Sequence, residues 1–482
     1  MTQFPQGIPG LEGAPFALDS TNWIFVLAFA LAGSTSVIYT MASGAGARRV
    51  LLSVGFAVVS IGCVTSGNML LMLIFWELML LASYLLIADS SDRSSSAAGH
   101  RYLIYHVVAG SAMLLAVLFQ HGASGTMAFG PPEPAAIPFF AIGIGIKLGA
   151  IPFHAWVPDA YSNVSPAVSV VLSGFTTKVG VYAILRLMLG VSWIPYIGAS
   201  MALFGVLMAL LQRCSRRVLG YQSVSQVGYM VVGVGLATQA GIDGGSMHVI
   251  NHIAYKTLLF MAAGAVIYRV GTGHLPRLGN LARSMPITFV CALFGALAIS
   301  GVPPFNGFVS KYWIKTALEG YPYISQVLLL AGIGTGASFT KLTWYTYLRK
   351  RPEGGVDDPS GEAPAGMLVS MLVLAAFCLY TGILPQSIAA QLPHGGPAPA
   401  AYTLAGILEG AWPPFLGVVV FAGLRRRMAE IPVPQDIDSL YFGMVKLLGR
   451  FGKALSAVTE DRLQENLLMI LAVLILSFFL MG

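Results

Sequence analysis

The amino-acid sequence predicts an all-α membrane protein of about 14 transmembrane helices, with two inverted five-helix repeats that each contain a broken helix. The first observation is composition: of 482 residues, 56% are hydrophobic and only 10% are charged, whereas soluble domains carry about 25% charged residues. The second is that apolar stretches able to cross about 30 Å of hydrocarbon as helices recur along almost the whole chain. The third is the distribution of basic residues between these stretches.

Reading the apolar stretches against their glycine, proline and charge boundaries gives the order of the crossings. We expect them at residues 22–42, 50–66, 69–88, 101–120, 136–158, 165–189, 193–212, 218–237, 246–268, 285–320, 324–348, 366–385, 403–424 and 464–481. The fifth carries Gly149 and Pro152 near its middle, and the tenth carries Gly301 and Pro304. Because proline and glycine interrupt helices, we expect both crossings to be broken.

Basic residues sort to one side of this topology. Twenty of the 27 lie in loops on that side, and the opposite loops, including residues 1–21 and 386–402, contain none. They are Arg48, Arg49, Arg93, Arg101, Arg213, Arg216, Arg217, Arg269, Arg277, Arg283, Arg349, Lys350, Arg351, Arg425, Arg426, Arg427, Lys446, Arg450, Lys453 and Arg462. The positive-inside rule therefore predicts a multi-pass protein of the cell inner membrane with both termini on the non-cytoplasmic side. The net charge of +7 follows from this topology and does not indicate nucleic-acid binding.

The same map indicates an internal repeat. Crossings two to six and seven to eleven enter the bilayer from opposite sides, and in each set the fourth crossing is the broken one. Broken helices at matching positions of inverted repeats mark an ion or substrate site near the membrane midplane. The predicted organisation is an N-terminal segment with the first helix (1–49), a first repeat (50–189), a second repeat (193–348), additional helices (349–430), and an amphipathic surface helix with a last transmembrane helix (431–482).

The amphipathic segment spans residues 436–460. Apolar residues recur there at spacings of three and four, opposite Lys446, Arg450 and Lys453. This pattern is typical of a helix that lies on the membrane surface. It is either a simple connector or a clamp against a neighbouring subunit.

Seven basic residues remain inside the predicted spans: Lys147, Lys178, Arg186, Lys256, Lys311, Lys315 and Lys341. A charged side chain that faces lipid near the bilayer centre costs about 3 kcal/mol or more, so deep ones should face the protein interior or water. Arg186 and Lys341 lie near span ends, where long side chains can reach the interface, and we interpret them as structural. Lys147, Lys178, Lys256 and Lys311 lie deeper and are candidates for an ion path.

Glu77 is the deep carboxylate of the sequence, and Glu409 lies nearer an outer span end. A carboxylate near a buried lysine favours the charged amine, so moving the two groups apart can switch the proton on the lysine. Glu77 and Lys147 are therefore a candidate proton gate. The alternative is a static ion pair that holds helices together.

His252 and Lys256 lie four residues apart on one helical face, with His248 one turn earlier. Such a ladder of titratable groups is typical of a proton relay. A single histidine in a membrane helix often only forms a hydrogen bond to a neighbouring helix, and we interpret His106 in this way. A haem would need facing histidine pairs, and the four cysteines lie singly without metal or cluster spacing. We therefore expect no cofactor or metal in this chain and assign any redox chemistry to a partner.

Six segments carry motifs. They are Phe75–Leu78 (FWEL), Gly145–Ala160 (GIKLGAIPFHAWVPDA), Ser165–Gly180 (SPAVSVVLSGFTTKVG), Gly220–Tyr229 (GYQSVSQVGY), His252–Phe260 (HIAYKTLLF) and Gly301–Lys311 (GVPPFNGFVSK). Together they resemble the antiporter-like membrane subunits shared by complex I (NADH-quinone oxidoreductase), Mrp-type cation/proton antiporters and membrane-bound hydrogenases. The resemblance covers roughly residues 15–430.

The resemblance implies a role for each matching residue. In that family the glutamate and first lysine form the gating pair, the second lysine and the His/Lys helix form the central axis, and the last charged residue leads out of the channel. The matching residues are Glu77, Lys147, Lys178, His252, Lys256 and Lys311. The sequence departs from the family in two ways. Two helices that usually precede residue 19 are not expected here, which changes the packing edge or the neighbour, and the usual acidic loop residue is absent from Gln212–Arg217 (QRCSRR). The tail near Asp436–Tyr441 is more similar to the Mrp and hydrogenase branches.

We therefore predict a subunit that moves H+ or Na+ within a multi-subunit membrane complex and carries no redox centre itself. Its expected partners are the lipid bilayer and other membrane subunits of a complex I-like, Mrp-like or hydrogenase-like assembly. Whether the whole assembly is an enzyme depends on those partners. The alternatives are a stand-alone secondary transporter, which an inverted repeat alone permits, and a redox-active quinone or haem subunit, which would show a bound chromophore.

Overall fold

A computed structural model describes residues 15–89, 93–356 and 361–430 of the chain. All of them fall in one compact unit, residues 1–433; the predicted surface helix 436–460 and the last predicted crossing lie outside the described residues. The helices are α1 Trp23–Ala42, α2 Ala47–Thr65, α3 Met69–Ala88, α4 Arg93–Ser124, α5 Ile137–Leu148, α6 Trp156–Ser162, α7 Pro166–Leu187, α8 Ile194–Leu211, α9 Ser215–Gly235, α10 Gln239–Val270, α11 Leu281–Ser284, α12 Pro286–Ser300, α13 Asn306–Thr316, α14 Pro322–Thr343, α15 Ala365–Ile383, α16 Gln386–Ala389 and α17 Leu404–Glu430.

The protein is an all-helical membrane protein. Eleven helical stretches in the described ranges are long and apolar enough to cross a membrane. α9 is not among them because glutamine, serine and arginine interrupt its apolar sequence, and α12 and α13 are only 15 and 11 residues long. The count of about 14 crossings therefore stays a prediction.

Two crossings are interrupted at the predicted glycines and prolines. α5 ends at Leu148, where Gly149 adopts a left-handed conformation (φ 70°), and α6 follows after a short 3-10 turn. α12 ends at Ser300, where Gly301 has φ 79°, and α13 follows. A left-handed residue after a helix favours glycine because it has no Cβ. Local sequence therefore determines where both helices stop.

Two helices form the centre of the bundle. All residues of α7 except Pro166 and Arg186 are buried, and α10 is buried from Gly241 to Val266. α10 packs against α1, α7, α9, α12, α13 and α15. A helix that is buried on every side places its polar residues inside the protein, so the lysines and histidines of α7 and α10 must be stabilised by the protein itself.

Several bounds differ from the sequence prediction. α4 and α10 are each 32 residues long and start about two turns earlier than expected, because a helix satisfies its own backbone in water as well as in lipid. A π-helical turn at Trp344–Leu348 follows α14. Single π turns lack a simple sequence signal, and neither feature was visible in the apolar pattern.

The second break depends on a close contact between its two halves. A Cβ placed on Gly307 of α13 would lie 1.8 Å from the carbonyl oxygen of Ala298 in α12. We expect Gly307→Ala to destabilise the folded chain by roughly 1–3 kcal/mol, because a backbone atom cannot rotate away. Thermal unfolding of the purified protein measures this. Gly122→Ala is the matched control, since no atom lies within 4 Å of a Cβ there; an equal melting temperature for the two variants would contradict the prediction.

Candidate functional site

Lys147 lies at the end of α5, next to the first break. Its side chain is fully buried, and its ammonium lies 4.7 Å from the ring centroid of Trp76 in α3. No described protein atom accepts a hydrogen bond from its Nζ. The carbonyl end of a helix carries partial negative charge, so the last turn of α5 is a favourable place for this cation.

Glu77 is half-buried on α3 and lies within electrostatic range of Lys147. Among the described side chains, the two do not approach closely enough to form an ion pair. A Cβ on Gly110 of α4 would lie 1.8 Å from Oε1 of Glu77. Gly110 therefore makes the space that the carboxylate occupies, and the two charged groups are not in contact in this structure.

Lys178, His252 and Lys256 meet where α7 and α10 pack together. All three are fully buried. Lys178 donates a hydrogen bond to the carbonyl oxygen of Ser173 in its own helix, and Lys256 donates to that of Leu219 in α9 at 2.9 Å. His252 lies within electrostatic range of both lysines, and neither of its ring nitrogens has a hydrogen-bond partner in the described part of the chain.

The ladder on α10 continues from His252 to His248. Their ring centroids are 6.5 Å apart. His248 shares a hydrogen bond of 2.8 Å with the hydroxyl of Ser310 in α13 and one of 3.3 Å with that of Tyr255. Because an imidazole can donate at one nitrogen and accept at the other, this arrangement links α10 to the helix that carries Lys311.

Lys311 lies just past the second break. Its ammonium donates to the carbonyl oxygen of Ile299 in the last turn of α12, at 2.7 Å, and lies 4.9 Å from the ring centroid of Tyr229 in α9. Both breaks thus present the carbonyl end of a half-helix next to a lysine. Lys311 also interacts electrostatically with His248 and His252.

Sequence reasoning did not single out a polar face on α9. This face consists of residues at helical spacing: Leu219, Gln222, Gln226 and Tyr229. The carbonyl oxygen of Leu219 accepts the hydrogen bond from Lys256, and the ring of Tyr229 lies against the ammonium of Lys311. Both glutamines are fully buried. Neither amide atom of Gln222, nor Oε1 of Gln226, has a hydrogen-bond partner in the described ranges. Buried amides normally have partners, so this face is suited to hold ordered water.

Lys147 and Lys178 have no direct contact among the described residues. The helices that carry them, α5 and α7, pack together, and Leu148 of α5 lies against Gly180 of α7. The structure therefore brings together Lys178, His252, Lys256 and Lys311 around α10, and places Glu77 with Lys147 at the neighbouring break.

The remaining ionisable residues in the spans have other contacts. Arg186 forms an ion pair with Asp19, and its Nε donates a hydrogen bond to the hydroxyl oxygen of Tyr182 at 2.8 Å. Lys341 donates to the carbonyl oxygens of Leu210 and Gln212 at the end of α8, at 2.6 Å each. These contacts are those of structural residues. His106 is stacked on Tyr102 and shares a hydrogen bond of 3.0 Å with its carbonyl oxygen.

In the ranges that the structure describes, no cluster of three or more His, Cys, Asp or Glu side chains is placed to hold a metal ion. The four cysteines are free thiols, and three of them are buried. The chemistry that these residues offer is proton exchange at amines, imidazoles and a carboxylate.

Comparison with known proteins identifies the family. The model of the family "NADH:quinone oxidoreductase/Mrp antiporter, TM" matches residues 66–337. The chain is 29% identical over 438 residues to hydrogenase-4 component B of Escherichia coli, covering 80% of this chain and 65% of that protein. It is 32% identical over 363 residues to NADH-quinone oxidoreductase subunit N of Desulforudis audaxviator, covering 68% and 72%.

A solved structure supports the same relationship. The fold matches a chain of the Mrp complex from Dietzia sp. with a TM-score of 0.74 and 25% sequence identity, covering 86% of this chain and 88% of that one. The family match spans both broken helices and every candidate residue of the site. The chain is therefore an antiporter-like membrane subunit and belongs to the NADH:quinone oxidoreductase/Mrp antiporter transmembrane family.

Proposed function

We propose that this chain moves protons across a membrane along Glu77, Lys147, Lys178, His252, Lys256 and Lys311. The observation that carries the proposal is the set of buried amines and imidazoles around α10, which adjoin buried polar atoms without protein partners. Burying such groups is costly and is usually tied to function. Ammonium groups only donate hydrogen bonds and repel metal cations, so this lining favours H+ over Na+ as the moving ion.

The proposal includes the topology of about 14 crossings with two inverted repeats. Both breaks have the same backbone pattern. The amide of Gly149 donates to the carbonyl oxygen of Ile146 and that of Ala150 to Gly145; likewise, Gly301 donates to Ala298 and Val302 to Leu297. A proline follows three residues after each glycine. Matching breaks in two halves support an inverted repeat with an ion site near the midplane.

We further propose that the chain works as one subunit of a larger complex in the cell inner membrane, with both termini on the non-cytoplasmic side. The asymmetry of the basic loops supports this orientation. Relatives include components of a hydrogenase and an NADH-quinone oxidoreductase, and the Mrp structure is itself a complex. Such partners would supply the energy, by a redox reaction or by exchange of another cation.

Removing either member of the gating pair should stop proton movement. We expect Glu77→Gln or Lys147→Ala to lower proton flux by about a hundredfold or more, because each removes a titratable group from the path. Flux is measured with a pH-sensitive dye in proteoliposomes that hold the purified complex under an imposed membrane potential. Glu353→Gln, in an exposed loop, is the control. Full flux through an assembled Glu77→Gln or Lys147→Ala complex would refute the role of that residue.

The space beside Glu77 offers a second test. Gly110→Ala should displace the carboxylate, since the new methyl group would overlap Oε1, and the flexible side chain can turn away without unfolding the helices. We expect proton flux to fall while the melting temperature changes little. Gly122→Ala on the same helix is the control. Unchanged flux in Gly110→Ala would show that the position of the carboxylate is unimportant.

The amide of Gln222 should help to hold water between Lys256 and the rest of the path. We expect Gln222→Leu to lower proton flux by about tenfold, because an apolar side chain cannot bind the water that conducts protons. Gln222→Asn retains an amide and should keep more of the flux. Gln391→Leu, at an exposed position, is the control; equal flux in wild type and Gln222→Leu would exclude this face of α9 from the path.

A further inference from the structure

A cavity of about 270 Å³ lies next to Lys311, between α9, α13, α14 and α17. Lys311, Tyr229 and Ser300 are among its less exposed lining residues, and Lys315 and Glu409 are among its more exposed ones. Lys315 follows Lys311 by four residues on α13, so the two share one helical face. The cavity therefore joins the last lysine of the proposed path to a second pair of charges.

Lys315 and Glu409 form an ion pair between α13 and α17. Their side chains are about half exposed, at 47% and 42% of full accessibility, whereas Lys311 is only partly accessible. The pair is thus at the open side of the cavity and Lys311 at its inner side. Among the described residues, Lys315 and Glu409 form the one ion pair that joins α13 to α17 across this opening.

The local structure of α17 favours a polar opening. Pro413 and Pro414 lie inside this helix and have no amide hydrogen, so the carbonyl oxygens of Glu409 and Gly410 lose their usual partners four residues on. Both prolines line the same cavity. α17 is held firmly here, because Gly336 of α14 packs against Pro414 with no room for a side chain. The opening therefore combines two carbonyl groups that lack their usual helical donor with a fixed backbone.

We propose that the Lys315–Glu409 ion pair is the outer gate of the cavity that holds Lys311. While the pair is formed, the two side chains span the opening and narrow it, leaving Lys311 only partly accessible. When it separates, the ammonium of Lys311 can give one proton to cavity water: an N–H bond breaks, an O–H bond forms, and Lys311 remains as the neutral amine. The identity of the moving ion rests on the proposed function, but the closing of the cavity does not.

Access to the cavity tests the gate without any transport. In the complete complex, Ser300→Cys places a thiol in the cavity wall, and a charged, membrane-impermeant methanethiosulfonate is added from the outer side. With the pair intact, labelling should be slow. Glu409→Gln or Lys315→Gln should each accelerate it about fivefold, since an accessible ion pair contributes up to ~1 kcal/mol. The exchanged pair, Lys315→Glu with Glu409→Lys, should return labelling to the slow rate.

Two outcomes would overturn the gate. One is an unchanged labelling rate in both single variants, or an exchanged pair that labels as fast as they do. The other is faster labelling that extends to the buried Cys63 and Cys378, because that would indicate loosened packing and not an opened cavity. Proton flux is measured in parallel. If the gate variants label faster but Lys147→Ala keeps normal flux, the gate stands and the proton path is refuted. If the gate variants label at the wild-type rate but Lys147→Ala loses flux, the gate alone is refuted.

Discussion

The structure depends on holding amines deep inside a helical bundle where, among the described residues, no carboxylate lies at contact distance from them. Backbone carbonyl oxygens do much of this: Lys178, Lys256 and Lys311 each donate to one. A carbonyl dipole stabilises an ammonium less than a full negative charge would, so these amines are held without being fixed in the charged state. That is the condition a proton carrier requires.

The carbonyl oxygens that bind Lys178 and Lys256 lie within α7 and α9, whereas the two broken helices place a helix end beside Lys147 and Lys311. A continuous helix satisfies its own carbonyl oxygens, whereas a helix that ends inside the bundle leaves the last ones available and directs partial negative charge inward. Lys147 lies in the last turn of α5, and Lys311 binds the last turn of α12. The glycines and prolines of the two breaks are therefore as much a part of the site as the lysines.

The sequence was sufficient for features that depend on local chemistry. The all-helical membrane fold and the positions of both breaks follow from apolar runs and from Gly149 and Gly301, and the family follows from the motifs. Features that depend on contacts between distant segments were not predicted. The space that Gly110 makes for Glu77, the unpaired amides of Gln222 and Gln226, and the Lys315–Glu409 pair each join helices far apart in sequence. Periodicity within one helix carries no information about which neighbour it will face.

The central claim is that protons pass through the amines themselves. Lys178 tests it most directly, because it is buried within α7 and lies within electrostatic range of His252 and Lys256. The measurement is proton flux per assembled complex with Lys178→Met, which keeps an unbranched side chain of similar length but cannot titrate. The account predicts a loss of about a hundredfold with unchanged assembly. Flux equal to that of the wild type would contradict it.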